Sequence, residues 1–322
     1  MLPNICEIQP NKLNTNMKSK FFFFYGEQGT WKTTVASQFP RPLLAGFEIG
    51  YQFIDGIHAL PMSSWSDMKD LYRQLKTPAA KEKYDTIIFD TISGAYQLCY
   101  KYVLGQFRVS DPGEVSFGKG WRTIREEFSI IKEISKLGYG LVFIAHGKEQ
   151  EITDGKTKES YTKVKIDLDS SAANIVAELS DFVFYVRKEI DETDGIEKVF
   201  GYSALPNIET KRRLPDFPTR FLFTYDSIIQ GMEDAINARK EKGVECTDEN
   251  PHIVEEINWV EVRDEVIAIF KTIIGTAAEE EASRYIMEIF PGIRLSETTA
   301  LHKDKLIAAR DYLSSLVEKL GL

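Results

Sequence analysis

From residue 20 onward, the hydrophobic and polar positions of this chain alternate between two patterns. Short apolar runs are separated by longer stretches in which apolar residues recur at helical spacing. The runs predicted as strands lie near residues 21–25, 42–47, 85–90, 140–145, 181–186, 197–204 and 219–224. The stretches predicted as helices lie near residues 32–39, 64–76, 91–107, 119–137 and 170–179. Strands that alternate with helices are typical of an α/β protein with a mostly parallel sheet.

Two Asp-Gly pairs interrupt this alternation and predict hairpins. Asp154-Gly155 and Asp194-Gly195 are each flanked by polar residues that are compatible with strands. Asp-Gly suits a two-residue type I′ turn between antiparallel strands. The later part of the sheet is therefore predicted to be antiparallel.

After Asp226 the pattern becomes helical. Residues 227–243 form a predicted helix, residues 244–252 an acidic linker, and helical segments follow near 254–274, 277–290 and 301–320. One apolar stripe of the last segment consists of Leu306, Leu313, Leu316, Val317 and Leu320. The predicted domains are an N-terminal arm (1–19), an α/β core (20–226), a helix with an acidic linker (227–252) and a small helical C-terminal domain (253–322).

The net charge of −9 comes from the C-terminal third of the chain. Residues 226–322 hold 20 acidic and 11 basic side chains, whereas residues 1–225 hold 29 of each. A neutral core does not exclude nucleic acid, but it lacks the basic charge usual in nucleic-acid-binding domains. No apolar run reaches the roughly 18 residues of a membrane span, no secretory signal is evident, and the three cysteines lack metal-ligand spacing. These features predict a cytoplasmic protein without a membrane or zinc partner.

The apolar run 21–25 leads into a turn that matches a phosphate-binding loop at all but one position. The turn consists of Gly26, Glu27, Gln28, Gly29, Thr30, Trp31, Lys32, Thr33 and Thr34. In the GxxxxGK[ST] pattern, backbone N–H groups cradle phosphates, the lysine contacts the β- and γ-phosphates, and the hydroxyl binds Mg²⁺. We therefore predict that this loop binds phosphate groups, with Lys32 on the β- and γ-phosphates and Thr33 on Mg²⁺. A chance match in a turn is the alternative, and the strand before and helix after the loop argue against it.

Trp31 stands where the pattern has its last glycine. Tryptophan enters positive φ at a greater energetic cost than glycine. The loop therefore either holds this position near a helical conformation or tolerates strain. We expect the substitution to alter nucleotide affinity or base preference.

Two further apolar runs end in polar residues that can reach a nucleotide. Residues 87–89 run into Asp90, and residues 141–145 run into His146. Ligands of open α/β sheets bind at the carboxyl ends of the strands. Asp90 is therefore predicted to hold Mg²⁺ opposite Thr33, and His146 to sense the γ-phosphate. The alternatives are a polar strand cap and a histidine that bonds a loop carbonyl.

Three other charged residues are candidates for catalysis. Glu48 follows the predicted strand 42–47, where a carboxylate can polarise the attacking water. A surface glutamate in a turn is the alternative. Lys211 and Arg213 precede the last core strand, and they lie either on a solvated charged face or near the nucleotide of a neighbouring subunit as cationic fingers.

Lysines and one tyrosine are interleaved between His146 and the predicted helix at residue 170. They are Lys148, Lys156, Lys158, Tyr161, Lys163 and Lys165. Phosphate contact by lysines and base stacking on an aromatic ring suit a path for single-stranded nucleic acid. Glu149, Glu151, Asp154 and Glu159 dilute this charge, so a solvated hairpin is the alternative.

The phosphate loop, Asp90, His146 and Lys211-x-Arg213, in this order, resemble a RecA-like phage P-loop ATPase. More narrowly, residues 20 to about 225 are similar to phage nucleotide-binding proteins that act as RecA-type single-strand annealing proteins. The resemblance implies a RecA-like P-loop NTPase core with ATP bound between the subunits of a ring or filament. It also implies the catalytic glutamate at Glu48, the γ-phosphate sensor at His146 and the second DNA-binding loop in the hairpin that follows. Lys211 and Arg213 would then reach the adjacent subunit.

The sequence thus predicts a slow ATPase that uses Mg²⁺, forms a homo-oligomer and acts on single-stranded DNA in phage recombination, annealing or replication. The alternative is a nucleotide-gated accessory or helicase-loader-type protein that docks on a single-strand-binding or replication protein. The acidic helical tail supports that alternative as a docking element. A small-molecule kinase fits less well, because no arginine-rich lid over a second substrate site is evident in the sequence.

Overall fold

The computed structural model describes residues 10–153, 160–249, 259–299 and 302–320. The chain divides into two compact units, Met1–Val254 and Glu255–Leu322. The strands are β1 Leu13–Asn14, β2 Phe21–Gly26, β3 Pro42–Gly46, β4 His58–Pro61, β5 Thr86–Asp90, β6 Gly140–Thr153, β7 Ser160–Ile166, β8 Phe182–Ile190, β9 Glu197–Tyr202, β10 Lys211–Arg212, β11 Arg220–Leu222 and β12 Cys246–Thr247. The helices are α1 Lys32–Ala36, α2 Trp65–Leu75, α3 Pro78–Lys83, α4 Ile92–Phe107, α5 Lys119–Phe128, α6 Ile130–Ile134, α7 Ser170–Leu179, α8 Tyr225–Glu241, α9 Trp259–Ile273, α10 Glu279–Ile289 and α11 Lys303–Leu320.

One large sheet dominates the first unit, with the strand order β11-β9-β8-β2-β6-β5-β3-β4. Neighbours from β8 to β4 run parallel, whereas β9 and β11 run antiparallel to their neighbours. Two strands off this path, β7 on β6 and β10 on β8, also pair antiparallel. This mixed and mostly parallel sheet with its helices confirms the predicted RecA-like P-loop NTPase fold class.

The aromatic run of β2 forms the centre of the sheet because its side chains alternate between the two faces. Phe21, Phe23 and Tyr25 pack into a hydrophobic cluster with residues of α2, α4, α5, α6 and α7. Phe22 and Phe24 pack into a second cluster with residues of α1 and α8. All five side chains are buried. A strand that is apolar on both faces needs cover on both faces, and the packing fixes the position where β2 ends and the phosphate loop begins.

The carboxyl ends of the central parallel strands lie at one edge of the sheet. Gly26 of β2 pairs with His146 of β6, and Gly46 of β3 pairs with Asp90 of β5. β6, which carries His146, lies between β2 and β5. The segments that follow these strands therefore meet at the same edge.

Both predicted hairpins are present, but the two-residue turn predicted at Asp194-Gly195 is wrong. β8 and β9 pair from Ile190 opposite Glu197, which leaves a longer loop between them. The Asp191 N–H donates to the Ile196 carbonyl, and the Gly195 N–H donates to the Asp191 carbonyl, each at 2.8 Å. The Asp191 carboxylate also accepts the Thr193 N–H at 3.0 Å, and this local bonding stabilises the longer loop.

The first hairpin is described up to Thr153 opposite Ser160. Its predicted turn at Asp154-Gly155 lies outside the described residues, as do Lys156 and Lys158. The antiparallel pairing of β6 with β7 nevertheless confirms the hairpin.

Several short features escaped the sequence prediction. The predicted helix 119–137 is broken at Ser129, whose hydroxyl donates to the Glu126 carbonyl at 2.5 Å and competes with helix continuation. Edge strand β4 and helix α3 are too short to show a clear period. In the segments predicted as arm and linker, β1 pairs in parallel with β12, and Asn16 donates to the Asp248 carbonyl at 2.8 Å.

The second unit consists of α9, α10 and α11 around its own core. Leu306, Leu313 and Leu316 of the predicted stripe are buried, and Val317 and Leu320 pack against them. The predicted helical C-terminal part is therefore present. Within the residues that the structure describes, no helix has the length and apolar character needed to cross a membrane.

Candidate functional site

Gly26 ends β2 and turns the chain into the phosphate loop. Its φ of +141° is one that side chains disfavour, and a Cβ on Gly26 would lie 2.0 Å from the Val186 carbonyl oxygen of β8. The loop continues through Gly29 at φ +68° to Lys32, where α1 begins. The strand, glycine turn and helix that the phosphate-loop pattern requires are therefore all in place.

The backbone of the loop presents a row of free donors. Within the described part of the chain, the N–H groups of Gln28, Gly29 and residues 31–34 donate to no acceptor, whereas the N–H of Thr30 closes a turn onto the Glu27 carbonyl. The N–H of Glu27, by contrast, donates to the Val186 carbonyl at 3.1 Å. Phosphate oxygens are the acceptors that such consecutive backbone donors suit, so the loop fits a nucleoside polyphosphate.

Trp31 adopts the left-handed conformation, with φ 59° and ψ 20°. Of the two possibilities for this position, a near-helical conformation is therefore wrong and the strained conformation applies. The Trp31 carbonyl accepts the Val35 N–H at 2.9 Å, so the start of α1 fixes this residue where glycine would be favoured. A left-handed non-glycine residue costs about 1–2 kcal/mol. The indole is 65% exposed and recovers little of that cost through burial.

Lys32 is buried beneath the loop. Its ammonium donates to the Gly26 carbonyl at 3.3 Å, to the Thr30 hydroxyl at 3.1 Å and to the Glu27 carbonyl. Burial lowers the pKa of Lys32 to about 8, although Asp90 and Glu27 act to raise it. A desolvated cation under a row of free N–H groups is suited to bind phosphate.

Thr33 and Asp90 form the predicted Mg²⁺ pair. The Thr33 hydroxyl donates to Asp90 Oδ2 at 2.8 Å. Asp90 is 5% exposed, and burial raises the pKa of its carboxyl, whereas the bond from Thr33 lowers it. A hydroxyl and a carboxylate beside a phosphate loop are oxygen donors of the kind that Mg²⁺ prefers, so these two residues fit the ion.

Glu48 lies between the ends of β5 and β6. The Thr91 hydroxyl donates to Glu48 Oε1 at 2.6 Å, and Glu48 Oε2 lies 3.4 Å from His146 Nε2. The other ring nitrogen, His146 Nδ1, is buried without a hydrogen-bond partner among the described residues. The structure thus places the predicted carboxylate and sensor against each other. Thr91 was not predicted from the sequence, although its position directly after Asp90 was a signal for it.

The comparison with known families agrees with this geometry. Residues 18–214 match the family model AAA_24, an AAA domain. The chain belongs to this family. It is also 28% identical over 252 residues to the SPbeta prophage-derived uncharacterized protein YorG of Bacillus subtilis (strain 168), which covers 75% of this chain and 74% of that protein. The AAA domain with its phosphate loop is a nucleotide-binding domain of the P-loop NTPase class.

Solved structures of low sequence identity are also similar to this AAA domain. The flagellar accessory protein FlaH of Methanocaldococcus jannaschii is 12% identical, with a TM-score of 0.33, over 64% of this chain and 85% of that chain. A KaiC-like protein of Pyrococcus horikoshii OT3 is 14% identical, with a TM-score of 0.33, over 57% of this chain and 77% of that chain.

Lys211 and Arg213 lie away from the phosphate loop of their own AAA domain. Lys211 pairs with Val183 near the start of β8, whereas Gly26 pairs with Val186, a separation of about 10 Å along the sheet. The Lys211 ammonium donates to the Ala177 carbonyl at 2.7 Å. Arg213 donates to the Glu178 carbonyl at 3.1 Å and pairs with Asp181 at 3.1 Å. Both cations thus cap the end of α7, and their role in a neighbouring subunit stays a prediction.

The hairpin of the AAA domain separates charges that are mixed in the sequence. Lys148 lies directly opposite Lys165, and Gln150 lies opposite Lys163. Because side chains alternate along a strand, the three lysines share one face of the hairpin. Glu149 and Glu151, at odd positions of β6, lie on the opposite face. Glu149 and Glu151 therefore do not reduce the positive charge of the face that carries the lysines, which we call the lysine face.

Proposed function

We propose that this AAA domain protein binds ATP with Mg²⁺ and hydrolyses it between the subunits of a homo-oligomer. In this proposal the protein acts on single-stranded DNA in phage recombination, annealing or replication, in the host cytoplasm. The observation that carries the proposal is the meeting of Lys32, Asp90 and Glu48 at one sheet edge beside the free N–H groups of the loop. The prophage source of YorG supports the phage setting.

Each group at this edge has a part in phosphoryl transfer to water. The loop N–H groups and Lys32 hold the phosphates, and Thr33 and Asp90 hold Mg²⁺, which supplies positive charge to the phosphate oxygens when bound. Glu48 is the general base that orients and deprotonates the attacking water. Thr91 and His146 contact its two oxygens and so fix the direction of the carboxylate.

The proposed oligomer is supported by two cations that lie away from the phosphate loop of their own subunit. Lys32 contacts the loop in cis, whereas Lys211 and Arg213 are held at the far end of α7. Transition-state charge in P-loop enzymes is commonly stabilised by a cation from a neighbouring subunit. Arg213 is exposed and Lys211 is partly exposed, so both can serve that role for an adjacent copy once they leave the α7 carbonyls.

The proposed DNA partner is supported first by the lysine face of the β6–β7 hairpin. Lys148 and Lys165 are exposed on this face and can contact successive phosphates. The strand that carries Lys148 also carries His146, two residues earlier. Phosphate contacts on the hairpin and the Glu48 carboxylate are therefore connected through one strand, which supports stimulation of hydrolysis by DNA.

A second exposed surface supports the same partner. We call it the α5 surface, and it consists of Phe117, Lys119, Trp121, Arg122 and Arg125. Phe117 is fully exposed and Trp121 is 42% exposed, and the three cations are exposed as well. Large exposed aromatic rings among cations suit base stacking combined with phosphate contact. The α5 surface was not recognised from the sequence, because a helical stripe gives no sign of exposed aromatic side chains.

The test of the proposed function is the rate of ATP hydrolysis with and without single-stranded DNA. Wild-type protein should hydrolyse ATP in the presence of Mg²⁺, and DNA should stimulate the rate. Lys32→Ala should lose both ATP binding and turnover, because the cation under the phosphates is gone. Intact turnover in Lys32→Ala would overturn the assignment of the phosphate loop.

The acidic C-terminal third favours a second candidate function. Residues 226–322 carry 20 acidic and 11 basic side chains, which suits a docking element for a basic partner. The protein would then be a nucleotide-gated accessory protein, or a helicase-loader-type protein, for a single-strand-binding or replication protein. ATP turnover without DNA stimulation, together with no DNA binding at low salt, would favour this function.

A further inference from the structure

Lys188 lies beside the phosphate loop on the part of β8 that extends past the end of β2. The last pair between the two strands is Gly26 with Val186, and β8 continues to Ile190. The Lys188 ammonium lies 4.0 Å from the position that a Cβ on Gly29 would occupy. The Lys188 side chain therefore reaches the flank of the loop, where it places a second cation, on β8 rather than on α1.

Glu27 holds this part of β8 against the loop. Its Oε2 accepts the backbone N–H of Lys188 at 3.2 Å, and its own N–H donates to the Val186 carbonyl at 3.1 Å. These two bonds continue the contact between the loop and β8 beyond the last strand pair. Glu27 thereby sets the distance between the Lys188 backbone and Gly29.

The present partner of the Lys188 ammonium is weak. It lies 3.7 Å from Glu197, and the two side chains are 40% and 65% exposed. Exposed pairs of this kind are screened by solvent and contribute little. A polyphosphate bound to the N–H groups of the loop carries several negative charges and would compete effectively with Glu197 for the ammonium.

We propose that Lys188 is a second phosphate-binding cation of the ATP site, acting in cis, and that Glu27 is the positioning residue that holds it there. The inference rests on the proposed ATP-binding function and adds a residue to it. Lys32 binds from beneath the loop, where it is buried, and Lys188 binds from the β8 flank, where it is accessible. A compact ammonium on a long side chain suits this role, because it reaches phosphate as a point charge.

The first experiment measures the affinity of ATPγS with Mg²⁺, of ADP and of adenosine by calorimetry. Lys188→Ala should weaken ATPγS binding by roughly tenfold to a hundredfold, the range for one hydrogen bond to a charged group, and leave adenosine binding unchanged. Lys188→Arg should restore most of the loss. The matched control is Lys81→Ala, an exposed lysine of α3, which precedes the opposite end of the sheet.

Unchanged ATPγS affinity in folded Lys188→Ala, beside a wild type that binds tightly, overturns the proposal. The failure of the proposed function looks different, because then neither wild-type protein nor the variants bind ATPγS. A loss for ATPγS alone places the ammonium on the γ-phosphate. An equal loss for ADP places it on the α- or β-phosphate, and both results support the inference.

The second experiment separates the charge of Glu27 from its hydrogen bond. Glu27→Gln keeps an acceptor for the Lys188 N–H and removes a negative charge beside the phosphates, so its ATPγS affinity should equal or exceed that of the wild type. Glu27→Ala should lose the contribution of Lys188 and cause no further loss in a Lys188→Ala background. Equal effects of the two Glu27 variants, or additive losses in the double variant, would overturn the positioning role.

Discussion

The hydroxyl of Thr91 donates a 2.6 Å hydrogen bond to Glu48 and so joins two sides of the candidate site. Thr91 directly follows Asp90 at the end of β5, and Glu48 follows β3. Thr91 therefore links the two carboxylates of the site. It is the chain neighbour of Asp90, which is assigned to Mg²⁺, and it holds Glu48, which is assigned to the attacking water. The Glu48 side chain is 48% exposed, so packing alone does not fix it. Its direction depends on Thr91 and His146.

Replacement of Glu48 should separate hydrolysis from binding. Glu48→Gln keeps the size of the side chain but cannot take up a proton, so kcat should fall about 10²- to 10⁴-fold while ATP affinity changes little. Thr91→Val should cause a smaller loss, because it frees Glu48 without removing it, and Thr91→Ser should retain activity. Steady-state hydrolysis and equilibrium binding measure the two effects. A normal kcat in Glu48→Gln would exclude Glu48 as the base.

ATP affinity should depend on pH through Lys32. Because burial lowers the pKa of Lys32 to about 8, the free protein loses this charge above that pH, and binding of a polyanion must then take up a proton. Affinity should vary little from pH 7 to 7.5 and fall about tenfold per pH unit above 8. Titrations of ATPγS across this range measure the effect.

Lys32→Arg is the control for this pH dependence. Its guanidinium stays charged, so its affinity, although lower, should show no fall near pH 8. A flat wild-type profile would mean that the charge of Lys32 does not contribute to binding.

The lowered pKa of Lys32 affects the stability of the fold in the opposite direction. The unfolded chain binds more protons than the folded one between about pH 8 and 10.5, so this residue makes the free energy of unfolding rise with pH in that window.

The elements that position the site could be predicted from sequence because they depend on local patterns. The β2 run 21–25 is apolar at every position, and the glycines and Lys32 of the loop follow it at fixed spacing. Asp90 and His146 were placed by the rule that ligands bind at the carboxyl ends of strands. These predictions required parallel strands in one sheet, but not the exact order of all the strands.

The contacts that complete the site could not be predicted, because they join residues distant in the chain. The approach of Lys188 to Gly29 depends on β8 being the neighbour of β2, and the Thr91–Glu48 bond depends on β3 being the neighbour of β5. The lysine face of the hairpin depends on the exact register of Lys148 with Lys165. Register and strand order are properties of the whole sheet, which single motifs do not contain.

Trp31→Gly should preserve or improve nucleotide binding. Glycine accepts the left-handed φ of 59° without the cost that tryptophan incurs, and the exposed indole contributes little to packing. Greater flexibility of the unfolded chain offsets part of the gain, so the free energy of unfolding should rise by at most about 1 kcal/mol. Denaturant unfolding and ATPγS titration test both points. Trp31→Ala keeps a Cβ and should retain the strain. Loss of binding in Trp31→Gly would show that the indole itself contacts the nucleotide.

Lysines on one face of the hairpin should account for part of the salt dependence of DNA binding. Each phosphate contact on a single strand contributes a slope of about −0.7 to the dependence of log K on log salt. Lys148→Ala with Lys165→Ala should therefore reduce the slope by about 1.4. Fluorescence anisotropy with labelled oligonucleotides over a range of salt concentrations measures it. Glu149→Gln and Glu151→Gln, on the opposite face, should leave the slope nearly unchanged. A slope that persists in the lysine variant would remove the hairpin from the DNA path.

Phe117→Ala and Trp121→Ala should both weaken DNA binding, and Phe117→Ala should do so without destabilising the fold. Phe117 is fully exposed, so its removal costs no core packing, whereas a lost base stack costs about 1–3 kcal/mol. The loss should persist at high salt, because stacking is not screened, and this separates it from the loss caused by lysine variants. Met287→Ala, an exposed apolar residue of α10, is the control. DNA affinity unchanged at every salt concentration would assign the α5 surface to another ligand.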